Sequence, residues 1–246
     1  MEEYYRRKYN VDIAMCIDAT GSMGGFINKV KENAHNLYSN LRDAVAEKGK
    51  YIDELRVRVI AFRDYIADGE NAMLTSDFYS LPADVEELES FLNSIQAVGG
   101  GDDPEDGLEA LAYAIKSDWT TGGDKRRHII IVWSDDGTHE LGFASKTGNH
   151  RAFSNIGAAE AERNAARYPE KMPRDFNELS AWWGNYYQNG LMDNNAKRLL
   201  IFAPAKEYWS TIAGLWDNVI HFPSEAGAGL MRVEYLDVLS EIAHSI

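Results

Sequence analysis

Short apolar runs alternate along the chain with longer segments in which apolar residues recur every three or four positions. Apolar runs bounded by polar residues are typical of strands buried on both faces of a parallel sheet. The first run ends at Asp18, and the run HIIIVW ends immediately before Ser134 and Asp135. The strands predicted in this way cover residues 11–17, 55–62, 128–133, 199–203 and 219–222.

The segments between these runs have the spacing of amphipathic helices. Helices are predicted at residues 24–47, 84–97, 105–116, 208–216 and 233–246. Residues 72–81 are compatible with a further strand, and the turn signal Asp68-Gly69 makes antiparallel pairing with the second strand an expectation. Strands that alternate with helices predict an α/β fold with a mostly parallel central sheet, one antiparallel edge strand and flanking helices.

One segment, residues 140–195, interrupts this alternation. It contains a helix-compatible run at 158–167, Pro169, Pro173 and an aromatic cluster from Trp182 to Tyr187. Because links between adjacent strands of a simple α/β unit are short, we interpret the segment as an elaborated crossover or a binding insertion. No linker rich in Pro, Gly and Ser divides the chain, so a single domain over residues 1–246 is expected.

The charge and cysteine content restrict the classes of partner. The 25 Lys and Arg residues against 39 Asp and Glu residues give a net charge of −14, which disfavours nucleic acid and anionic lipid as partners. Cys16 stands alone in an apolar run, where a small core residue is expected rather than a nucleophile. The sequence shows no secretory signal and no apolar stretch near ~20 residues, so a soluble, cytoplasmic protein is predicted.

Three acidic segments lie at or beside the carboxyl ends of predicted strands. They contain Asp18, Thr20 and Ser22 in the first; Asp102, Asp103 and Glu105 in the second; and Asp135 and Asp136 in the third. Carboxyl ends of strands in an open α/β sheet meet at one edge, where ligands bind. Converging carboxylates need a cation, and a donor set made only of oxygen favours Mg²⁺, Mn²⁺ or Ca²⁺.

These motifs resemble the metal-ion-dependent adhesion site of von Willebrand factor A (VWA) domains. The resemblance rests on Asp18-x-Thr20-Gly-Ser22-Met after an apolar strand, VIAFRDY at residues 59–65, GGGDDPED at 99–106 and IIIVWSDDGTHE at 129–140. It covers residues 11–139 and is greatest to intracellular members whose second loop is Gly-Asp-x-Pro-Glu. It implies a three-layer, doubly wound, Rossmann-like fold.

The resemblance also implies a ligand set and a mode of binding. Asp18, Thr20 and Ser22 match the first motif, with threonine where serine is more usual. Asp135 matches in the third loop, with Asp136 as its neighbour. In the second loop the ligand is Asp102 or Glu105. Such sites bind rather than catalyse, and an acidic side chain of a partner protein completes the shell of the cation, often within an intracellular multi-protein system.

An enzymatic alternative remains. Asp18-Ala-Thr-Gly-Ser is similar to the nucleophile loop of haloacid-dehalogenase-type Mg²⁺-dependent phosphotransferases, in which Asp18 would be phosphorylated. Against this, Thr20 stands where phosphatases of that family carry an acid, no lysine stands out as a charge-stabilising partner, and the GGGDDPED loop is not part of that pattern.

The same residues are also compatible with simpler structural roles. Thr20 and Ser22 would serve as helix caps, and Gly99-Gly100-Gly101 as a flexible connection. His139 is a candidate ligand or base, although a structural or exposed loop residue is favoured. Arg63-Asp64 is expected to form a local ion pair. The aromatic cluster from Trp182 to Tyr187 would dock a partner or pack onto the core.

Overall fold

The computed structural model describes residues 7–100, 104–146, 156–226 and 235–246. Its main sheet has seven strands. They are β1 (Tyr9–Asp18), β2 (Glu54–Phe62), β3 (Met73–Thr75), β4 (Tyr79–Leu81), β5 (Lys125–Trp133), β8 (Lys197–Pro204) and β9 (Val219–Ser224). A separate two-stranded hairpin is formed by β6 (Gly184–Asn185) and β7 (Gln188–Asn189).

The helices occupy the intervals between the strands, as the periodicity predicted. They are α1 (Gly24–Asn33), α2 (Leu37–Glu47), α3 (Tyr65–Asp68), α4 (Val85–Ser94), α5 (Gly107–Ile115), α6 (Ala158–Ala165), α7 (Phe176–Trp183), α8 (Trp209–Leu215) and α9 (Tyr235–Ser245). The predicted helix at 24–47 is divided by a 3₁₀ turn at Ala34–Asn36. The start of the predicted helix at 233–246 falls partly outside the described residues.

The strand order confirms the predicted α/β class. Along the sheet the order is β3-β2-β1-β5-β8-β9, and β1, β2, β5, β8 and β9 are mutually parallel. The antiparallel edge consists of two short strands, β3 and β4, which both pair with β2. The chain runs outward in both directions from β1 and β5, which makes the carboxyl ends of these two strands the switch point where α/β sheets bind ligands.

Some element boundaries differ from the predicted ones for identifiable reasons. The predicted strand at 72–81 is broken because the Ser76 hydroxyl accepts a hydrogen bond from Val59 N (2.9 Å) and donates to Asp77 O (2.7 Å). Strand β5 begins at Lys125, before the apolar run, because its charged residues pair in register with the start of β1. Backbone pairing thus extends the strand beyond its apolar part.

The sheet separates two apolar layers, and successive residues of β1 point to opposite sides, so that strand is buried along its whole length. Ile13, Met15 and Ile17 pack in the layer with α1, α2, α4 and α9. Ala14 and Cys16 pack in the layer with α5, α7 and α8. No helix within the described ranges is long and apolar enough to cross a membrane.

Polar contacts attach the insertion to helices α3 and α5. Asn164 of α6 donates to Ile66 O (2.9 Å), and the Tyr168 hydroxyl donates to Glu109 Oε1 of α5 (2.8 Å). Burial raises the pKa of Glu109 to about 8, the charge of Asp106 adding to the effect, and Gly142 N donates to the same carboxylate oxygen (2.8 Å). The described part of the insertion therefore packs against the core.

Candidate metal centre

The loop after β1 places three oxygen-bearing side chains along a path from the interior to the surface. Asp18 is fully buried, Thr20 is buried and Ser22 is exposed. Thr20 donates from its backbone N (3.0 Å) and its hydroxyl (2.6 Å) to Asp18 Oδ1, and its hydroxyl lies 3.4 Å from Ser22 Oγ. The Thr20 side chain makes no capping hydrogen bond to the following 3₁₀ turn, so the helix-cap interpretation of Thr20 is wrong.

The carboxyl-end loops are joined by hydrogen bonds, as the topology predicted. Ser134, directly after β5, donates its hydroxyl to Asp18 Oδ2 (2.9 Å) and so connects the first and third loops. Thr138 donates its hydroxyl to Glu105 O (2.9 Å), and His139 N donates to the same carbonyl (2.9 Å), which connects the second and third loops.

The two aspartates of the third loop have different surroundings. Asp135 is buried, and its negative charge contributes to raising the pKa of Asp18. Asp136 instead forms an ion pair with Lys206 Nζ at 2.6 Å. Asp136 thus lies beside the site with its charge already balanced, in keeping with its predicted role as a neighbour.

Of the three second-loop candidates, Glu105 is described, whereas Asp102 and Asp103 lie outside the described residues. Glu105 is buried, and its Oε2 has no hydrogen-bond partner within the described part of the chain. Burial is the main cause that raises the pKa of Glu105 to about 11, followed by the charge of Asp18. A buried carboxylate with an unpartnered oxygen is costly unless a cation or a proton compensates it.

The surroundings of Asp18 also disfavour its charged form. Burial raises its pKa to about 6 although Thr20 and Ser134 donate hydrogen bonds to it. A divalent cation would hold both Asp18 and Glu105 in their charged forms. The oxygens of the predicted ligands that the structure describes, which are Asp18, Thr20, Ser22, Glu105 and Asp135, match the hard donor set of Mg²⁺.

The glycines before the second loop have a specific conformational role. Gly99 and Gly100 have φ angles of 83° and 84°, a region that disfavours residues with a side chain. A Cβ on Gly99 would lie 1.9 Å from Asp68 Oδ1, and one on Gly100 would lie 2.8 Å from Glu105 Oε1. The flexible-connection interpretation therefore does not hold for these two residues.

Sequence reasoning missed a second group of side chains. Asp64, Asp106 and His139 are buried and offer ligand atoms that all lie within 4.8 Å of one another, the only group of three or more acidic, His or Cys side chains in the described ranges that does so. The expected Arg63–Asp64 ion pair is not what these side chains form, because the Arg63 guanidinium donates to backbone carbonyls, including Ala19 O (3.0 Å). His139 is not an exposed loop residue either: it is buried and stacks on Phe143 with ring centroids 4.0 Å apart.

The aromatic cluster divides between the two roles considered for it. Trp183 is fully buried and stacks on Trp216 at 5.3 Å between ring centroids. Trp182 is half-buried and lies against Lys116. Tyr186 and Tyr187, at the β6–β7 turn, are exposed. The exposed tyrosines remain candidates for contact with a partner.

The family model of the von Willebrand factor A domain matches residues 12–122. This range includes the first two acidic segments and is less than half of the chain. The match supports a VWA domain in this part of the sequence, as the motifs predicted. It does not extend to the third acidic loop or to the insertion.

Similar proteins are distant from this chain. A putative ariadne-like RING finger protein of Acanthamoeba polyphaga mimivirus is 29% identical over 126 residues, which is 51% of this chain and 11% of that protein. The chain therefore spans a small part of this curated relative.

The solved structures that match this chain are also only distantly similar to it. The pilus adhesin SpaC of Lactobacillus rhamnosus GG has a TM-score of 0.49 at 10% identity and covers 97% of this chain and 31% of its own. The conserved hypothetical protein BatB of Bacteroides thetaiotaomicron has a TM-score of 0.41 at 17% identity and covers 96% and 97%. A von Willebrand factor type A structure from Catenulispora acidiphila has a TM-score of 0.41 at 14% identity. It covers 96% of this chain and 41% of its own. With TM-scores below 0.5, these structures carry no argument about function.

Proposed function

We propose that the chain is a metal-dependent protein-binding module without catalytic activity. A divalent cation, Mg²⁺ with Mn²⁺ and Ca²⁺ as alternatives, is held at the carboxyl edge of the sheet by Asp18, Thr20, Ser22, Asp135 and a second-loop carboxylate. Glu105 is the preferred second-loop ligand, with Asp102 as the alternative. An acidic side chain of a partner protein completes the coordination shell.

One observation carries the proposal. The buried carboxylate of Asp18 interacts electrostatically with Asp135 and with Glu105, which are also buried. The hydroxyls of Thr20 and Ser22 lead from Asp18 to the surface. A cation held by few fixed carboxylates and by hydroxyls keeps a position for one more strong anionic ligand. Such an ion reverses the sign of the local potential on a chain whose net charge of −14 otherwise repels acidic partners. Action within a cytoplasmic multi-protein system is part of the same proposal.

Mg²⁺ binding by the wild-type protein and by Asp18→Asn is the first test. Asparagine retains an acceptor for the bond from Thr20 but removes the charge, so the calorimetric Mg²⁺ signal should disappear. The unliganded variant should be at least as stable as wild type, because the substitution removes a buried charge. Asp43→Asn is the matched control, since Asp43 is exposed and lies 3.6 Å from Arg42. Equal Mg²⁺ binding by Asp18→Asn and wild type would contradict the proposal.

The open coordination position is tested with Mn²⁺ in place of Mg²⁺. Water bound to protein-held Mn²⁺ enhances water-proton relaxation, and a carboxylate that displaces this water lowers the enhancement. A short peptide with a single Glu should lower it, and the same peptide with Gln should not. If both peptides act alike, the acidic-partner part of the proposal fails.

The phosphotransferase alternative makes the opposite prediction. It requires hydrolysis of a phosphate ester, such as p-nitrophenyl phosphate, in the presence of Mg²⁺ and loss of that activity in Asp18→Asn. We expect no turnover above that of the variant. Its observation would replace the binding proposal with an enzymatic one.

A further inference from the structure

Three elements bring a histidine and two aspartates together beneath the surface. Asp64 follows β2, Asp106 precedes α5, and His139 lies in the loop after β5. All three side chains are 5% exposed or less. None of them belongs to the ligand set proposed above, although Asp106 directly follows Glu105 in the chain.

Each carboxylate is oriented by backbone amides. Asp64 Oδ1 accepts hydrogen bonds from two amides of α3, at 2.5 and 2.9 Å. Asp106 Oδ2 accepts one from Tyr65 N at 2.7 Å. The second oxygens, Asp64 Oδ2 and Asp106 Oδ1, lie 3.5 and 3.3 Å from His139 Nδ1. The fold thus holds one oxygen of each carboxylate toward the same ring nitrogen.

One carboxylate oxygen of the cluster has no hydrogen-bond partner in the described part of the chain. Asp64 Oδ2 is fully buried there and has no hydrogen-bond partner. The imidazole Nδ1 carries at most one proton, which cannot serve two carboxylate oxygens with good geometry. A buried carboxylate oxygen without a hydrogen-bond partner is costly, and a cation is the natural compensation.

We propose that Asp64 Oδ2, Asp106 Oδ1 and His139 Nδ1 form a second metal site, distinct from the all-oxygen centre and specific for a borderline divalent ion such as Zn²⁺. An imidazole nitrogen favours Zn²⁺ over Mg²⁺. Zinc bonds to nitrogen and oxygen of ~2.0–2.2 Å place tetrahedral ligands roughly 3.3–3.6 Å apart. The two nitrogen–oxygen separations of 3.3 and 3.5 Å lie in this range. The bound ion joins the ends of β2 and β5 to the start of α5.

The test separates the two metals on one sample. Protein stripped with chelator is saturated with Mg²⁺ and then titrated with Zn²⁺, or with Co²⁺ as a spectroscopic substitute. We expect one equivalent of Zn²⁺ to bind at micromolar or lower concentration, and Co²⁺ to produce a visible absorption band that Zn²⁺ abolishes. The Co²⁺ band is measured on the wild-type protein, so this test does not depend on whether a variant folds.

Variants then assign the ligands. His139→Gln and Asp64→Asn should weaken Zn²⁺ binding at least 100-fold and change Mg²⁺ affinity less than threefold. Asparagine at position 64 keeps the oxygen that accepts the α3 amide bonds. His35→Gln is the matched control, because His35 is exposed and pairs only with Glu89 among the partners that the structure describes. Circular dichroism verifies folding of each variant.

Several outcomes would overturn this second site. They are the absence of Zn²⁺ uptake and of a Co²⁺ band in wild type, unchanged Zn²⁺ affinity in both ligand variants, or loss of Zn²⁺ binding in Asp18→Asn, which would indicate one shared site. Loss of Mg²⁺ binding alone in Asp18→Asn supports two separate centres. Zn²⁺ binding by a wild-type protein that binds no Mg²⁺ would refute the proposed function and leave the second site standing.

Discussion

Cys16 shows how strongly the environment of one residue controls its chemistry. Its side chain is fully buried in β1, its Sγ lies 3.7 Å from Ala110 O, and burial raises the pKa of the thiol to about 12. Thiolate is the reactive form of cysteine. The folded protein should therefore react with a thiol reagent at pH 8 on the order of a thousand times more slowly than an exposed cysteine. Labelling with Ellman's reagent in buffer and in guanidinium measures the difference, and rapid labelling of the folded chain would contradict the prediction.

Glu109 gives a second residue-scale prediction, which concerns pH. Its pKa is raised from 4.5 to about 8 in the folded chain, mainly by burial. The folded state therefore holds this proton more tightly than the unfolded state. The resulting stability is fully present below about pH 4.5 and is lost as the pH rises through about 8.

The measurement compares how steeply the free energy of unfolding decreases with pH in wild type and in a variant. One proton changes the free energy of unfolding by at most about 1.4 kcal/mol per pH unit. Glu109→Gln removes this contribution, so urea unfolding between pH 5 and 8 should give a shallower decrease with pH than in wild type. Glu162→Gln is the control, because Glu162 is exposed on α6. Equal slopes for Glu109→Gln and wild type would be incompatible with this assignment.

At the scale of elements, the connection before α5 positions the second-loop carboxylate. Gly100 has φ 84°, and a Cβ there would approach Glu105 Oε1 to 2.8 Å. Gly100→Ala should therefore displace Glu105, weaken Mg²⁺ binding about tenfold and lower stability by roughly 1–3 kcal/mol. Gly122→Ala is the control, since a Cβ there meets no atom within 4 Å. Calorimetry and urea unfolding of both variants check the prediction, and unchanged Mg²⁺ affinity in Gly100→Ala would show that Glu105 is not a ligand.

The elements also show which parts of the structure were predictable from sequence. Hydrophobic periodicity depends on burial, so it located the central strands and the helices that cover them. It could not indicate the break at Ser76, which depends on a side-chain hydroxyl bonding to a neighbouring strand. Strand ends also placed Asp18 and Asp135 at one edge of the sheet. The grouping of His139 with Asp64 was missed because the contact joins residues far apart in sequence, and an aspartate before a helix has the pattern of a simple cap.

At the scale of the molecule, two groups of charged residues lie at opposite ends of the central strands. Basic residues lie at the amino ends of β5 and β8, which begin with Lys125-Arg126-Arg127 and Lys197-Arg198. Asp18, Glu105 and Asp135, all buried, lie in the loops at the opposite, carboxyl edge. Because the net charge is −14, any salt relieves general repulsion. A test of specific metal binding must therefore distinguish occupancy of that edge from screening.

Thermal unfolding makes this distinction. A ligand that binds only the folded state at 100 times its Kd stabilises it by about 2.7 kcal/mol, which corresponds to a rise in Tm of roughly 5–10 °C for a domain of this size. Mg²⁺ should produce such a rise in wild type, whereas NaCl of equal ionic strength should produce only the smaller screening effect. Asp18→Asn should respond to the two salts alike, because it retains nearly all of the net charge but lacks the deepest ligand. If Mg²⁺ raised the Tm more than NaCl did, and by the same margin in wild type and Asp18→Asn, the stabilising ion would bind elsewhere. The buried carboxylates at this edge would then have to be compensated by protons rather than by metal.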